Sequence, residues 1–218
     1  MNQRKAAKIT GIALLTMTVL AIFSIGYAYE QFDNSKNYEL LINIINHNMV
    51  LYQSMIIGIL FIIILDFIVS YTLYKYFEKK NKKTALLSGV IRGVYTVTFG
   101  IATFYLTKNL NPNELTNQLI KSNFEQFQTI WNSGLIIFGL HIILVGYLMK
   151  VHSEIPKTLS YITLIAGASY VATSLLKIEH PNSEMTNTLI MILALPMTLG
   201  ELGLAVWLLI KGGKKVLL

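Results

Sequence analysis

The sequence predicts an all-α polytopic membrane protein, a six-transmembrane-helix bundle with both termini in the cytoplasm. Hydrophobic residues make up 54% of the 218 residues and charged residues only 13%, whereas a soluble domain has about 45 to 50% and about 25%. Long uncharged apolar runs recur along the chain, and basic residues cluster on alternate sides of them. Apolar runs of this kind predict membrane spans, and the charge asymmetry predicts their orientation.

Six apolar runs are long enough to cross a bilayer. A helix rises about 1.5 Å per residue, so about 20 residues cross the hydrocarbon layer. The predicted spans cover residues 9–29, 50–74, 84–107, 127–149, 156–176 and 187–210. Because these spans follow one another from residue 9 to residue 210, residues 1–218 are expected to form a single transmembrane domain.

The first run follows basic residues, as the apolar core of a secretory signal does, and Gly26 and Ala28 are candidate cleavage residues. The run of about 21 residues is longer than the usual signal core of about 7 to 15 residues. We therefore expect a retained first span, with cleavage as the alternative.

Lys and Arg residues outside the predicted spans divide unevenly between the two sides of the membrane. One side holds Arg4, Lys5, Lys8, Lys75, Lys79, Lys80, Lys82, Lys83, Lys150, Lys157, Lys211, Lys214 and Lys215. The other side holds Lys36, Lys108, Lys121 and Lys177. Cytoplasmic loops carry the excess of Lys and Arg, so the first side, which includes both termini, is predicted to be cytoplasmic.

The composition also bears on partners and location. In a soluble domain a net charge of +7 would suggest that the protein binds nucleic acid. Here the basic residues lie between apolar runs. The predicted partner is therefore the lipid bilayer, and no binding of nucleic acid is predicted. The absence of cysteine excludes disulfides, thiolate metal sites and cysteine nucleophiles. Abundant Lys, Ile and Asn fit an AT-rich bacterial genome, so the expected location is the bacterial plasma membrane.

Two longer outer loops, residues 30–49 and 108–126, are polar with apolar residues at helical spacing, and we expect them to lie on the membrane surface. Asn111 and Pro112 are suited to cap and begin a helix in the second loop. The favoured interpretation is a connector that covers the ends of the spans. A gate over a substrate site is the alternative.

Four ionisable residues lie well inside the predicted spans: Asp66, Arg92, His141 and Glu201. A charge at the bilayer centre costs about 3 kcal/mol even on insertion scales, so such residues usually face the bundle interior. Each lies about nine or ten residues from a lysine at the cytoplasmic end of its span, which at the helical rise is about 13 to 15 Å. The shared depth predicts one polar layer in the inner half of the bundle, with Asp66 paired to Arg92 and Glu201 to His141.

Hydroxyl and small residues near these positions predict a supporting polar face. On the third span they are Ser88, Thr96 and Thr103, and on the fifth they are Ser160, Thr163, Gly167, Tyr170 and Ser174. Small residues at steps of three and four favour close helix contact, so the fifth span is expected to lie centrally. In the sixth span Pro196 removes a backbone donor before Glu201, which predicts a kink.

Most of the chain resembles the bacterial membrane proteins grouped as domain of unknown function 4386, and the resemblance is densest in two segments. One runs from Phe138-Gly139-Leu140-His141 through Gly146-Tyr147-Leu148 to Ile155-Pro156-Lys157, and the other from Gly200-Glu201-Leu202 to Trp207-Leu208-Leu209-Ile210-Lys211-Gly212. Asp66 and Arg92 resemble the charged positions of that family, whereas Ser160 stands where the family often has glycine. The resemblance implies a six-helix bundle and no particular activity.

Three classes of function fit this pattern, and oligomeric state is not predicted. The favoured one is binding or transport of a small molecule, an amphiphile or protons by Asp66, Arg92, His141 and Glu201, with Ser88, Thr96, Thr163 and Tyr170 in support and His141 as the titrating residue. A non-catalytic role as structural protein, partner subunit, or stress or immunity protein is the first alternative. An intramembrane lipid-modifying enzyme is the second. No catalytic residue, cofactor or metal is predicted, because no nucleophile motif is present and Arg92 would repel a cation.

Overall fold

The computed structural model describes residues 1–33, 40–180 and 183–214 of this protein. Throughout these residues the regular structure is helical, without a β-strand. Within these ranges six helical segments are long and apolar enough to cross a membrane: Gln3–Asp33, Met49–Phe77, Lys82–Leu110, Asn117–Val151, Lys157–Glu179 and Glu184–Ile210. The prediction of an all-α multi-pass membrane protein is confirmed.

The helices extend beyond the apolar runs that predicted them. In chain order they are α1 (Gln3–Ala21), a π-helix (Ile22–Tyr29), α2 (Glu30–Asp33), α3 (Leu41–His47), α4 (Met49–Phe77), α5 (Lys82–Thr107), two 3-10 turns (Lys108–Leu110 and Pro112–Glu114), α6 (Asn117–Val151), α7 (Lys157–Glu179) and α8 (Glu184–Ile210). Apolarity marks the part of a helix inside the hydrocarbon, and polar residues can continue the backbone hydrogen bonds beyond it. Lys36 and Lys215, used in the orientation argument, lie outside the described residues.

The second outer loop differs most from its prediction. Pro112 begins a helical turn as expected, but the turn has only three residues, and Asn111 makes no side-chain capping bond. The expected cap is therefore wrong, because backbone bonds close this turn: Glu114 N donates to Asn111 O and Leu115 N to Pro112 O, each at 3.1 Å. Residues 117–126 belong to the first turns of α6, so they extend a span instead of forming a separate surface helix.

The chain divides into two compact units. The first contains residues 1–15, 65–96 and 132–218, and the second contains residues 16–64 and 97–131. The expectation of a single domain stays a prediction. All four ionisable residues predicted to share a polar layer belong to the first unit, whose packing therefore positions the site.

Within the first unit α7 packs closely on two neighbouring helices. A Cβ atom added at Gly139 would lie 2.7 Å from the carbonyl oxygen of Gly167, and one added at Gly200 would lie 2.8 Å from the Cβ of Ala166. Ser160, Thr163, Gly167 and Ser174 are buried on α7. The close helix contact predicted from small residues on the fifth span is thus present, with α6 on one side and α8 on the other.

Arg4 of α1 binds the carboxyl end of α8. Its Nη1 donates to the carbonyls of Leu208 at 3.1 Å and Gly212 at 2.7 Å, and its Nη2 donates to that of Leu209 at 2.7 Å. The last four carbonyls of a helix lack partners within it, and a cation at this end also opposes the helix dipole. Arg4 therefore binds the start of α1 to the carboxyl end of α8.

The second unit has an aromatic core. The Tyr29 and Phe127 rings lie 5.1 Å apart and the Phe32 and Tyr52 rings 5.0 Å apart. Tyr52 donates its buried hydroxyl to the Leu106 carbonyl at 2.8 Å. None of the four ionisable span residues lies in this unit.

Candidate functional site

Asp66 of α4 and Arg92 of α5 form a buried ion pair in the first unit. Arg92 Nε donates to Asp66 Oδ1 at 2.9 Å, and Nη2 binds the same oxygen. Both side chains are 1% exposed. A buried charge is tolerated when it is paired and hydrogen-bonded, and the Asp66–Arg92 pair predicted from the sequence is present.

His141 of α6 extends this pair into a network. Its Nε2 lies 3.1 Å from Arg92 Nη1, and its Nδ1 lies 2.9 Å from both the backbone oxygen and the Oγ of Ser88. Guanidinium nitrogens only donate, so Nε2 accepts and carries no proton. Nδ1 then carries the single proton and donates to the Ser88 carbonyl, which makes His141 a neutral imidazole bonded on both nitrogens.

Glu201 of α8 pairs with Tyr170 of α7 and not with His141. The Tyr170 hydroxyl donates to Glu201 Oε1, whereas the His141 nitrogens are bound to Arg92 and Ser88. The predicted Glu201–His141 pair is therefore wrong. The close approach of α7 and α8 at Gly200 brings Tyr170 within reach of the Glu201 carboxyl group. The acceptor nitrogen of His141, Nε2, is already bonded to Arg92.

Phe138 lies between the two polar groups. Its ring centroid is 4.9 Å from that of Tyr170 in an edge-on arrangement, and 5.3 Å from Arg92 Cζ. The Tyr95 ring lies 4.8 Å from Phe138 on another side. Sequence reasoning did not assign a role to Phe138 or Tyr95. Phe138 could have been found from its spacing, because it precedes His141 by three residues and so lies on the same helix face.

The supporting residues divide into two sets. Ser88 and Tyr170 bond directly to the ionisable residues, as described above. Thr96 and Thr163 instead donate to carbonyls one turn back on their own helices, to Arg92 O at 2.8 Å and Leu159 O at 2.9 Å. This back-bonding is the usual way for a hydroxyl inside a membrane helix to be satisfied, and it keeps both threonines outside the network.

The two polar groups differ in burial and in whether the carboxyl group has a cationic partner. Asp66, Arg92, His141 and Ser88 are buried and mutually bonded. Glu201 is partly exposed, its Oε2 has no hydrogen-bond partner within the described segments, and no Lys, Arg or His there forms an ion pair with it. The described residues also contain no group of three or more His, Cys, Asp or Glu able to hold a metal ion. The arrangement leaves Glu201 as the group that can bind something further.

Comparisons with known proteins identify a family and name no activity. A family model described as "Domain of unknown function (DUF4386)" matches residues 9–212. An uncharacterized protein of Archaeoglobus fulgidus is 30% identical over 159 residues, which cover 73% of this chain and 84% of that protein. No solved structure matches the chain.

Proposed function

This chain belongs to the family described as Domain of unknown function (DUF4386), and we propose that it binds a small amphiphile of the bilayer at Glu201 and Tyr170, without covalent chemistry. The amphiphile's polar head lies against the Glu201 carboxyl group, and its apolar tail lies in the surrounding lipid.

The observation that carries the proposal is the unsatisfied carboxyl oxygen of Glu201. A carboxyl group within a membrane span is expensive, and in membrane proteins such groups mark ligand, ion or proton sites. Glu201 has a tyrosine as its bonded partner, and its second oxygen is left available. Asp66, another acidic residue in a span, has both a cationic partner and near-complete burial.

The position of Glu201 favours a ligand that arrives from the lipid. It lies on α8, the least buried of the six spans, ten residues before Lys211 or about 15 Å along the helix. Leu195, Leu199 and Val206 on the same helix are 66%, 50% and 44% exposed. This exposure of α8 suits a ligand that reaches Glu201 from the lipid.

The buried network beside this group acts as a scaffold. Asp66, Arg92, His141 and Ser88 join α4, α5 and α6 through bonds from Arg92 to Asp66 and His141 and from His141 to Ser88. In this proposal His141 holds Arg92 in place and does not act as the titrating residue. The same bonding between helices favours a second candidate, a purely structural or partner-subunit role in which the polar groups only fix helix register.

We place the protein in the bacterial plasma membrane with both termini in the cytoplasm. The asymmetry of Lys and Arg between the ends of the spans supports the orientation, and the abundance of Lys, Ile and Asn supports a bacterial source. The polar layer then lies in the inner half of the membrane, and the amphiphile is drawn from the inner leaflet.

Mass spectrometry of molecules that copurify with the protein in mild detergent tests the proposed function. Wild type is compared with Glu201→Gln and with Glu184→Gln, an exposed acidic position in the first turn of the same helix. We expect one amphiphile enriched with wild type and Glu184→Gln and depleted with Glu201→Gln. Identical profiles for all three proteins would contradict the site and favour the structural role.

A further inference from the structure

The charges of the polar groups in the first unit do not balance. Asp66 and Arg92 neutralise each other, and His141 is neutral because its Nε2 accepts from Arg92. Glu201 is bonded to the uncharged Tyr170 hydroxyl and forms no ion pair with a described residue. The described residues therefore supply a negative charge at Glu201 without a matching positive one.

A carboxylate in a low-dielectric medium without a counter-charge takes up a proton or a cation. Tyr170 already donates to Oε1, so the proton or the cation is held at Oε2. An alkylamine head has a nitrogen that is compact enough to approach this oxygen and can donate up to three hydrogen bonds when protonated, as a lysine ammonium does.

From this geometry we infer that the amphiphile bound at Glu201 carries an amine head group, held as an ammonium against the Glu201 carboxylate. The inference rests on the proposed function and names its ligand class. The neutral amine crosses the hydrocarbon, and its nitrogen lone pair takes the proton from the Glu201 carboxyl as the O–H bond breaks. The products are an ammonium and a carboxylate in contact, so the total charge of the site does not change.

Aromatic rings near Glu201 also favour a positively charged head group. Tyr170, Phe138 and Tyr95 form a connected aromatic group beside Glu201, with ring separations of 4.9 Å and 4.8 Å along it. Aromatic faces attract cations, and Phe138 already lies against the Arg92 guanidinium at 5.3 Å. An anionic head such as a phosphate would instead be repelled by the carboxylate, and an alcohol would leave the carboxyl proton in place.

The test compares two probes that differ in the head group alone, a long-chain alkylamine and the alcohol of the same chain length. Each is titrated into purified protein in phosphatidylcholine nanodiscs and followed by native mass spectrometry. We expect wild type and Glu184→Gln to bind the amine about tenfold or more tightly than the alcohol, since a charge-assisted bond in a desolvated site has this magnitude. Glu201→Gln should lose that preference.

The outcomes separate the inference from the function on which it rests. If the amine and the alcohol bind wild type equally, the ammonium inference is overturned while amphiphile binding stands. If wild type binds neither probe, both are overturned. If Glu201→Gln keeps the amine preference, the ligand is cationic but the assigned carboxyl is wrong. Should Glu201→Gln fail to fold, the comparison of the two probes on wild type alone decides the inference.

Discussion

Arg92 donates to His141 Nε2 at 3.1 Å. This bond links the Asp66–Arg92 ion pair to a third helix and fixes the histidine as the neutral tautomer with its proton on Nδ1. The guanidinium therefore acts as the centre of a buried network, with Asp66 on one side and His141 on the other.

Replacing Arg92 with methionine should destabilise the protein strongly, because Asp66 would be left buried without a partner. Breaking a buried pair from one side typically costs about 3 to 5 kcal/mol, whereas replacing both partners with apolar residues is often close to neutral. We expect Arg92→Met to lower the thermal unfolding temperature in detergent, and the double variant Asp66→Leu with Arg92→Met to recover much of it. A single variant that melts like wild type would contradict the network.

His141 should be found as the neutral Nδ1–H tautomer. Its Nε2 accepts from a group that only donates, so the proton lies on the nitrogen facing Ser88. Nitrogen NMR of protein labelled at histidine distinguishes the two tautomers and the imidazolium, and His141→Gln identifies the signal. An Nε2–H or doubly protonated ring in the native protein would show that the assigned bonding is wrong.

Arg4→Lys should loosen the end of α8. A lysine has the charge but not the fork that reaches the carbonyls of Leu208, Leu209 and Gly212 together. We expect a loss of about 1 to 2 kcal/mol and faster amide hydrogen exchange in the last turn of α8. Lys5→Ala, at the exposed neighbouring position, is the matched control and should change neither quantity. Equal amide hydrogen exchange in Arg4→Lys and wild type would mean that the bonds from Arg4 to these carbonyls do not stabilise the end of α8.

Stability should fall at mildly acidic pH because of His152, which lies outside the spans and is 1% exposed. Burial lowers its pKa below the usual value, Lys80 adds to the lowering and Glu154 partly opposes it. The unfolded chain therefore binds the proton first. His152 stabilises the fold fully above about pH 6.5, and this contribution decreases as the pH falls below that value.

The measurement for His152 is the unfolding temperature between neutral and mildly acidic pH. We expect His152→Gln to have a shallower pH dependence than wild type, and His47→Gln, at an exposed histidine, to have the wild-type dependence. Parallel curves for wild type and His152→Gln would exclude this residue as the source.

Gly139→Ala should destabilise the protein, and Gly93→Ala should not. A Cβ at Gly139 would lie 2.7 Å from the backbone oxygen of Gly167, which cannot move without shifting α7, whereas a Cβ at Gly93 meets nothing within 4 Å. Overpacking of this kind costs about 1 to 3 kcal/mol, while alanine in an open helix position gains up to about 1 kcal/mol over glycine. Thermal unfolding of the two variants, measured side by side, should shift in opposite directions.

Charged residues were the most reliable guide to the site. Asp66, Arg92, His141 and Glu201 were singled out because each is expensive in a membrane, and the Asp66–Arg92 pair followed from opposite charge at similar depth. The pairing of His141 with Glu201 followed from the same rule and was wrong. An uncharged tyrosine was the better partner for Glu201, and Arg92 had enough donors to take the histidine as well.

The sequence by itself determined the six spans, their approximate lengths and the height of each ionisable residue, because apolar length and helical rise are properties of one helix at a time. The tertiary structure decided which side chains bond at that height: His141 with Arg92 and Ser88, and Glu201 with Tyr170. That choice depends on how far each helix is rotated and how closely it approaches its neighbour. Close contacts such as those at Gly139 and Gly200 accompany this rotation and approach. The spacing of residues along a single span encodes neither the rotation of a helix nor its distance from its neighbour.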